Sequence, residues 1–164
     1  MSKMTQSNQR SNSPADHADN VNRCLKTAID LLSRREHSRF ELRRKLQQKP
    51  HAEGVDLEPL LDQLAEANYQ SEERYAESFV RSRILKGQGE MKIRSQLLQR
   101  GVSQYLANTA ISKAEVNWLE LAERQREKRF GEAYPHTRDE QAKQSRFLLS
   151  RGFPGHIVRE VTQG

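Results

Sequence analysis

The sequence predicts an all-α protein: an elongated array of three tandem three-helix repeats, with about nine helices in all. From residue 21 onwards, strong helix formers dominate and apolar residues recur at helical spacing. No run of alternating β-branched and aromatic residues indicates a strand. Only 34% of the chain is hydrophobic, so most helices must keep one face in water, as helices do in thin repeat arrays.

The first repeat is predicted at 21–68 and follows a tail at 1–20 that is rich in Ser, Asn, Gln and Asp. This tail has almost nothing to bury, which predicts disorder. A first helix spans about 21–35, a second spans 39–48 behind a Ser38 N-cap, and a third follows Asp56 as its cap. Their apolar stripes contain Cys24, Leu25, Ala28, Ile29, Leu32, Leu42, Leu46, Leu57, Leu60, Leu61 and Leu64.

The second repeat is predicted at 69–114. Its first helix begins behind Ser71, has two glutamates in its first turn and ends at Gly87. The next helix spans about 90–100 and stops at Gly101, and a Ser103 N-cap starts the third. Their apolar stripes contain Ala76, Phe79, Val80, Ile84, Ile93, Leu97, Leu106, Ala110 and Ile111.

The third repeat is predicted at 115–164. Its first helix, about 115–130, is stopped by a glycine and followed by a loop that contains Pro135. The second helix spans about 139–151 and ends at a glycine, and the last begins near Pro154, a good first-turn residue. The buried faces are predicted to contain Trp118, Leu121, Ala122, Phe130, Ile157, Val158 and Val161.

Self-comparison of the chain supports the three repeats. A shift of 51 residues aligns LLQRGV at 97–102 with LLSRGF at 148–153, and a shift of 46 aligns Ala76 with Ala122. The difference between the two shifts falls in the loops at 50–55 and 131–138, where insertions belong. Any two amphipathic helices align somewhere, but this match also includes the helix-ending glycine and the helix after it. The first copy matches by pattern rather than by identity.

No catalytic, metal-binding or cofactor-binding constellation is visible in the sequence. The five histidines are scattered, Cys24 is the single cysteine, and the glycines near residue 88 form no dinucleotide or phosphate loop. No apolar run is long enough to span a bilayer, and the N-terminus lacks the hydrophobic stretch of a secretory signal. These features favour a cytoplasmic binding protein that is not an enzyme and uses no cofactor.

The formal net charge is +6 and the sequence pI is about 9.7, which favours polyanionic partners. An ordinary basic domain with solvating lysines and arginines is the alternative, and it is the simpler interpretation for any single residue. Arginines predominate and recur in each repeat, which predicts fork-like contacts along one surface. The predicted basic face consists of Arg35, Arg39, Arg43, Arg44, Arg81, Arg83, Lys86, Lys92, Arg94, Arg100, Lys128, Arg129, Lys143, Arg146 and Arg151.

Five segments of the chain, in order, resemble the RecX family of bacterial RecA regulators. They are SRFELRRKL at 38–46, NYQSEERYAESFVRSR at 68–83, GEMKIRSQLLQRGV at 89–102, KRFGE at 128–132 and RFLLSRGF at 146–153. Gln70-Ser71-Glu72 departs from the family's usual aliphatic and acidic residues, although Ser caps a helix as well as Asp does. The family-motif positions, which we interpret as structural, are Tyr69, Arg74, Tyr75, Ala76, Gly101 and Gly152.

The resemblance implies three tandem three-helix units and a function that the residues alone do not give. RecX-like proteins bind RecA and the RecA–single-stranded DNA filament. They inhibit filament growth, ATP hydrolysis, strand exchange and LexA self-cleavage, and direct contact with single- or double-stranded DNA is also expected. The alternative from the charge pattern is a basic helical module that binds DNA without contacting RecA. An unrecognised enzyme is the third hypothesis, which the missing constellation disfavours.

Overall fold

The computed structural model describes residues 13–164, and within that range the chain forms nine α-helices, a 3-10 turn at Pro50–Ala52 and no strand. The all-α prediction is confirmed. The helices are α1 (Pro14–Arg34), α2 (Arg39–Gln47), α3 (Glu58–Glu66), α4 (Glu72–Leu85), α5 (Glu90–Gln99), α6 (Gln104–Lys113), α7 (Trp118–Phe130), α8 (Arg138–Ser150) and α9 (Gly155–Gln163).

The helices form three units, each with its own apolar core. The core of the first unit (α1–α3) is centred on Leu42, Leu46 and Leu61, which are at most 1% exposed. The second unit (α4–α6) and the third unit (α7–α9) each bury a separate cluster. Trp118 packs against both of these later clusters, so the second and third units share an apolar contact.

Helix α1 begins earlier than predicted. Residues 14–20, which were predicted to be disordered, form its first turns, and Ser13 is its N-cap. Ser13 Oγ accepts the Asp16 N–H over 3.1 Å, and the Asp16 carboxylate accepts the Ser13 N–H over 3.3 Å. This capping box and Pro14 in the first turn start a helix whose early turns are exposed. Composition alone missed it because these turns bury little and extend a helix anchored further on. The rest of the predicted tail, 1–12, lies outside the described residues.

The predicted serine N-caps are confirmed at three helices. Ser38 accepts the Glu41 N–H, Ser71 accepts the Arg74 N–H, and Ser103 accepts the N–H three residues further on, over 3.1–3.2 Å. Each hydroxyl satisfies a backbone donor that has no partner inside its helix. These local signals therefore place the starts of α2, α4 and α6 as the sequence indicated.

Other predicted helix starts were wrong by a few residues. Glu115 has a φ of 49°, so it ends α6, and α7 begins at residue 118 behind Asn117 as its N-cap. Helix α3 begins at residue 58 rather than directly after Asp56, although the Asp56 carboxylate still accepts the Glu58 N–H over 3.1 Å. Pro154 is the N-cap of α9 and not its first helical residue.

The LLxRG motif forms the same helix end in the second and third units. Gly101 and Gly152 adopt φ values of +80° and +96°, a conformation that favours glycine. The next residue's N–H then bonds back to the Leu97 carbonyl at 3.1 Å and to the Leu148 carbonyl at 3.2 Å, respectively. The first unit has Pro50 at the matching position, and its α2 continues into the 3-10 turn instead.

Candidate binding surface at the unit junctions

Two junctions join the three units, and both place the start of one unit's second helix against the end of the next unit's second helix. In the first junction, Ser38 Oγ at the start of α2 donates to the Arg100 carbonyl at the end of α5 over 2.8 Å. In the second junction, the Gly89 N–H at the start of α5 donates to the Arg151 carbonyl at the end of α8 over 2.7 Å. The 51-residue shift superposes both pairs, so the junctions are copies of one arrangement.

The first junction is held by side chains around one carboxylate. Glu41 accepts a hydrogen bond from the Tyr75 hydroxyl and forms ion pairs with Arg35 at 2.9 Å and Arg100 at 3.8 Å. Burial and then the Glu41 carboxylate raise the pKa of Tyr75 above its ordinary value, so the hydroxyl stays a donor. The carboxylate thus neutralises positive charge from both units.

A second network lies on the same junction. The Glu72 carboxylate accepts the Arg39 N–H over 2.7 Å and the Gln70 amide over 2.9 Å, and Gln70 also donates to the His37 carbonyl over 3.3 Å. Burial raises the pKa of Glu72 despite these bonds. This second network therefore ties the start of α2 to the start of α4.

His37 is buried beside these networks. Its Nδ1 lies 3.0 Å from the Arg35 carbonyl, and its Nε2 lies 3.0 Å from Lys45 Nζ. Because the lysine ammonium can only donate, Nε2 accepts and Nδ1–H donates to the carbonyl. Burial, with the neighbouring Arg35 and Lys45 charges, lowers the pKa of His37, so the neutral imidazole belongs to the folded junction.

The second junction is held by backbone contacts instead. The Met91 N–H donates to the Gly152 carbonyl over 3.0 Å, next to the Gly89 bond. A Cβ on Gly89 would overlap the backbone that follows α8, and a Cβ on Gly152 would overlap Lys92. Lys92 occupies the position that Glu41 has in the first junction. In the described part of the chain, no ion pair crosses this junction.

The predicted basic face divides into paired and unpaired cations. Arg39 and Arg43 both bind Glu58 at 2.7 Å, and their hydrogen bonds, Arg43's first, lower the pKa of Glu58 to about 2. Arg94 donates to Asn108 over 2.7 Å and lies 3.8 Å from Glu90. The five predicted cations with a carboxylate partner are Arg35, Arg39, Arg43, Arg94 and Arg100.

The other predicted cations form no ion pair with the residues that the structure describes. Several lie over aromatic rings: Arg83 is 4.6 Å from the centroid of Phe79, and Arg129 and Arg151 are 5.8 Å and 5.4 Å from that of Phe147. Such contacts hold a guanidinium in place without neutralising it. The set consists of Arg44, Arg81, Arg83, Lys86, Lys92, Lys128, Arg129, Lys143, Arg146 and Arg151.

The family-motif residues lie mostly within the fold. Arg74 pairs with Glu36 at 3.0 Å and donates to the Asn68 carbonyl over 2.8 Å, joining the first two units. Tyr75 is in the first junction and Ala76 is 1% exposed, whereas Tyr69 is half exposed. These positions, Tyr69 excepted, act through packing and hydrogen bonds inside the protein.

Two exposed leucines were not singled out from the sequence. Leu98 and Leu149 are 44% and 51% exposed and occupy the same position of the LLxRG motif. The backbone hydrogen bond that ends each helix is accepted by the preceding leucine, Leu97 or Leu148. An exposed leucine at the next position is therefore not needed for the helix end. The repeat alignment could have indicated this exposure, because the first unit has the polar Gln47 at the same position, so the position need not be buried.

Arg126, a cation of the third repeat, was also not singled out from the sequence. It is fully buried, donates to the Glu132 and Ala133 carbonyls over 3.3 Å and 3.1 Å, and lies 4.5 Å from the ring centroid of Tyr134. The 46-residue shift aligns it with the buried Val80, which was the available signal. It holds the loop after α7 against the third core.

Within residues 13–164, no three His, Cys, Asp or Glu side chains gather in a way that would hold a metal ion. No helix in this part of the chain is long and apolar enough to cross a membrane. The junction surface instead presents unpaired cations and exposed leucines. Cations without a carboxylate partner attract anions, and exposed leucines are suited to pack against apolar side chains of a partner.

Comparison with protein families gives three matches in order along the chain. Residues 24–55 match the first three-helix domain of RecX, 71–111 match the second and 115–162 match the third. Each match lies within one of the units described above.

The chain is similar to curated proteins named Regulatory protein RecX. It is 45% identical over 132 residues to that of Halorhodospira halophila, covering 80% of this chain and 81% of the relative. It is 42% identical over 139 residues to that of Pseudomonas putida, covering 85% and 88%. A crystal structure of RecX from Lactobacillus salivarius has a TM-score of 0.74 at 23% identity, covering 89% and 96%, and thus shows the fold.

Proposed function

We propose a function from one premise: the chain belongs to the RecX family of regulatory proteins. The protein binds the RecA–single-stranded DNA filament and inhibits its growth, its ATPase, strand exchange and LexA self-cleavage. It does so by binding, without catalysis and without a cofactor. The observation that carries the proposal is the match of all three units to the three RecX domains, in order and over most of the chain.

Repetition of the exposed groups supports a partner that is itself repetitive. Leu98 near the end of α5 and Leu149 near the end of α8 are exposed at equivalent positions of the repeat. An array that presents the same exposed leucine twice can contact successive subunits of a filament. Two weak contacts joined in one chain bind more tightly than either alone, because the second contact forms within the bound complex.

The direct test measures the ATPase of preformed RecA filaments while DNA is in large excess. A filament binder inhibits to the same extent at every DNA concentration. The alternative function, a DNA-binding module that does not contact RecA, is titrated away by the extra DNA. Unchanged ATPase and no co-sedimentation with filaments would reject the proposal.

The repeated leucines provide a variant-level test of the surface. We expect Leu98→Ser with Leu149→Ser to weaken filament binding at least tenfold, because exposed apolar anchors contribute about 1–3 kcal/mol each when a partner buries them. Leu85→Ser is the matched control, since Leu85 is 88% exposed but has no counterpart in the repeat alignment. Equal weakening by the control would show that the repeated leucines are not the contact.

A further inference from the structure

Residues 37–39, which lead into α2, each form one hydrogen bond to the second unit. The three bonds are 2.7–3.3 Å long and join the His37 carbonyl to the Gln70 amide, Ser38 Oγ to the Arg100 carbonyl and the Arg39 N–H to the Glu72 carboxylate. Because the three residues are consecutive, any displacement of this segment acts on all three bonds together. The attachment of the first unit to the second therefore depends on the position of the segment.

The attachment of the first unit is mainly polar, whereas the second and third units also share apolar packing. Trp118 packs against the clusters of both later units. Within the described residues, the apolar clusters of the first and second units have no member in common. The second junction also has backbone hydrogen bonds from Gly89 and Met91 to the end of α8, and these groups do not titrate. The second and third units are therefore the more firmly joined pair.

The imidazole of His37 lies at the start of this segment, buried beside two cations. Its Nε2 accepts from Lys45 Nζ over 3.0 Å. Burial, and then the charges of Arg35 and Lys45, lower the pKa of His37 and outweigh the Arg35 carbonyl and Glu41, which act in the opposite sense. The Glu41 carboxylate is already bound to Arg35 and to the Tyr75 hydroxyl. The closed junction therefore holds a neutral imidazole.

We propose that the first junction is a latch that opens when His37 is protonated, so that the first unit separates from the pair formed by the second and third. A protonated Nε2 carries a hydrogen and can no longer accept from Lys45, so two positively charged donors then face each other. Movement of the ring away from the lysine relieves this repulsion and displaces the segment that carries the three bonds. Residues 67–71, between α3 and α4, remain as the covalent link.

The latch is closed at neutral pH and opens as the pH falls. The closed junction lowers the pKa of His37, and opening returns it to its ordinary value of about 6.5, so protonation favours the open state below that pH. Glu72 faces the segment from α4, and burial raises its pKa, so its protonation opposes the opening. The other charged groups at the junction are already paired: Glu36 with Arg74, and Glu41 with Arg35 and Arg100.

The latch goes beyond the proposed function and is a property of the chain alone. Its test uses the full chain without RecA and follows amide hydrogen exchange by NMR, with one reporter for each junction. The Arg39 N–H has no acceptor within α2, so its exchange reports the bond to Glu72. The Gly89 N–H reports the bond to the Arg151 carbonyl across the second junction.

The protection factor of each amide is compared between about pH 7 and about pH 5.5, after correction for the intrinsic pH dependence of exchange. We expect the protection of Arg39 to fall by at least about threefold and that of Gly89 to stay within about twofold. The emission of Trp118, the single tryptophan, should not change, because the contact between the second and third units stays intact. Equal falls at both amides would indicate general loss of stability and would overturn the latch, as would an unchanged Arg39.

Two variants identify the group that opens the latch. His37→Gln removes the titrating ring, and Lys45→Gln leaves the ring in place but removes the facing charge and supplies an amide oxygen that accepts from a protonated Nε2. In both, the fall in Arg39 protection should shrink to less than about twofold. Lys49→Gln is the matched control for the second variant, because it removes the same charge from an exposed lysine beyond the end of α2 and should leave the fall unchanged.

A full fall in His37→Gln would assign the pH dependence to another group and overturn the latch. A full fall in Lys45→Gln would show that repulsion between the ring and the lysine does not open the junction, with the same consequence. Loss of RecA inhibition at neutral pH in the unchanged protein, with the exchange pattern as expected, would reject the proposed function and leave the latch in place.

Discussion

The two junctions place equivalent helix ends together, but different chemistry holds each of them. The first uses side chains: Ser38 reaches the Arg100 carbonyl, and Glu41 binds groups from both units. The second uses the backbone: Gly89 donates its own N–H to the Arg151 carbonyl. A serine hydroxyl extends beyond the backbone, so the helices of the first junction need not approach as closely as a glycine allows in the second.

This difference determines which charges remain available for a ligand. A junction that depends on ion pairs must keep a carboxylate between its arginines, and half of their positive charge is then neutralised. A junction that depends on glycine and backbone hydrogen bonds needs no carboxylate, so Lys92 and Arg151 remain unpaired among the described residues. The duplication thus separates a structural junction from one that is suited to bind an anion.

The largest loss of stability is expected when an added side chain prevents the close backbone contact at the second junction. Gly89→Ala places a Cβ about 2.5 Å from the Phe153 nitrogen. Gly89 has a φ of −81°, so the substitution adds no backbone strain of its own. We expect urea denaturation to show a loss of about 3 kcal/mol in the free energy of unfolding, as for overpacked interiors.

The control for this prediction is Gly54→Ala. Gly54 has a φ of +73° and nothing within 4 Å of an added Cβ, so only backbone strain of about 1 kcal/mol is expected. If the two variants lost the same stability, close backbone approach would not be what holds the second junction.

The next effect in size is expected at the carboxylate of the first junction. Glu41→Gln keeps an acceptor for the Tyr75 hydroxyl but removes the charge that pairs with Arg35 and Arg100. Thermal and urea unfolding should show a loss of about 1–2 kcal/mol, because the pairs are only partly exposed. At the equivalent position, Lys92→Gln should change stability by less than about 0.5 kcal/mol. Similar losses from both would contradict the division between the junctions.

Lowering the pH should destabilise the first junction, because protonation places a positive charge on the buried His37. Its folded-state pKa is lowered, so its contribution to stability is present above the ordinary histidine pKa and is lost as the pH falls below about 6.5. Glu72, with a raised pKa, acts in the opposite sense: its contribution is greatest below its ordinary pKa and is lost as the pH rises.

The measurement compares urea denaturation of the unchanged protein and His37→Gln between about pH 7 and pH 5. The amide keeps a donor and an acceptor but does not titrate in this range, so the variant should lose less stability on acidification. Comparison of the two removes the contribution of Glu72. Parallel pH profiles would exclude His37 as the cause.

Local signals made most of the fold predictable. Apolar spacing placed the helices, serine caps such as Ser71 placed their starts, and the glycine at 101 or 152 placed two of their ends. These features act over four or five residues, so a single chain displays them. The start of α1 was not predicted, because its exposed first turns depend on the capping box of Ser13 and Asp16 rather than on burial.

The predicted surface was less complete because ion pairing depends on tertiary structure. Arg39 pairs with Glu58 across a loop, and no spacing rule links residues that far apart. The burial of Arg126 depends equally on carbonyls in the loop after α7. The sequence indicated which residues were basic, whereas only the fold shows which carboxylates reach them.

The smallest expected effect comes from introducing the carboxylate of the first junction into the second. Lys92→Glu places a negative charge near Arg151, across the bond from Met91 to Gly152. Pairing at a partly exposed site should raise the free energy of unfolding by no more than about 0.5 kcal/mol.

Because salt screens exposed charges, that gain should disappear near 1 M NaCl, where the screening length is about 3 Å. Urea denaturation at low and high salt checks it. A loss of more than about 1 kcal/mol at low salt would mean that Lys92 itself stabilises the second junction. A small, salt-sensitive gain would instead show that the junction folds equally well with either charge. The lysine then leaves positive charge exposed without being needed for stability.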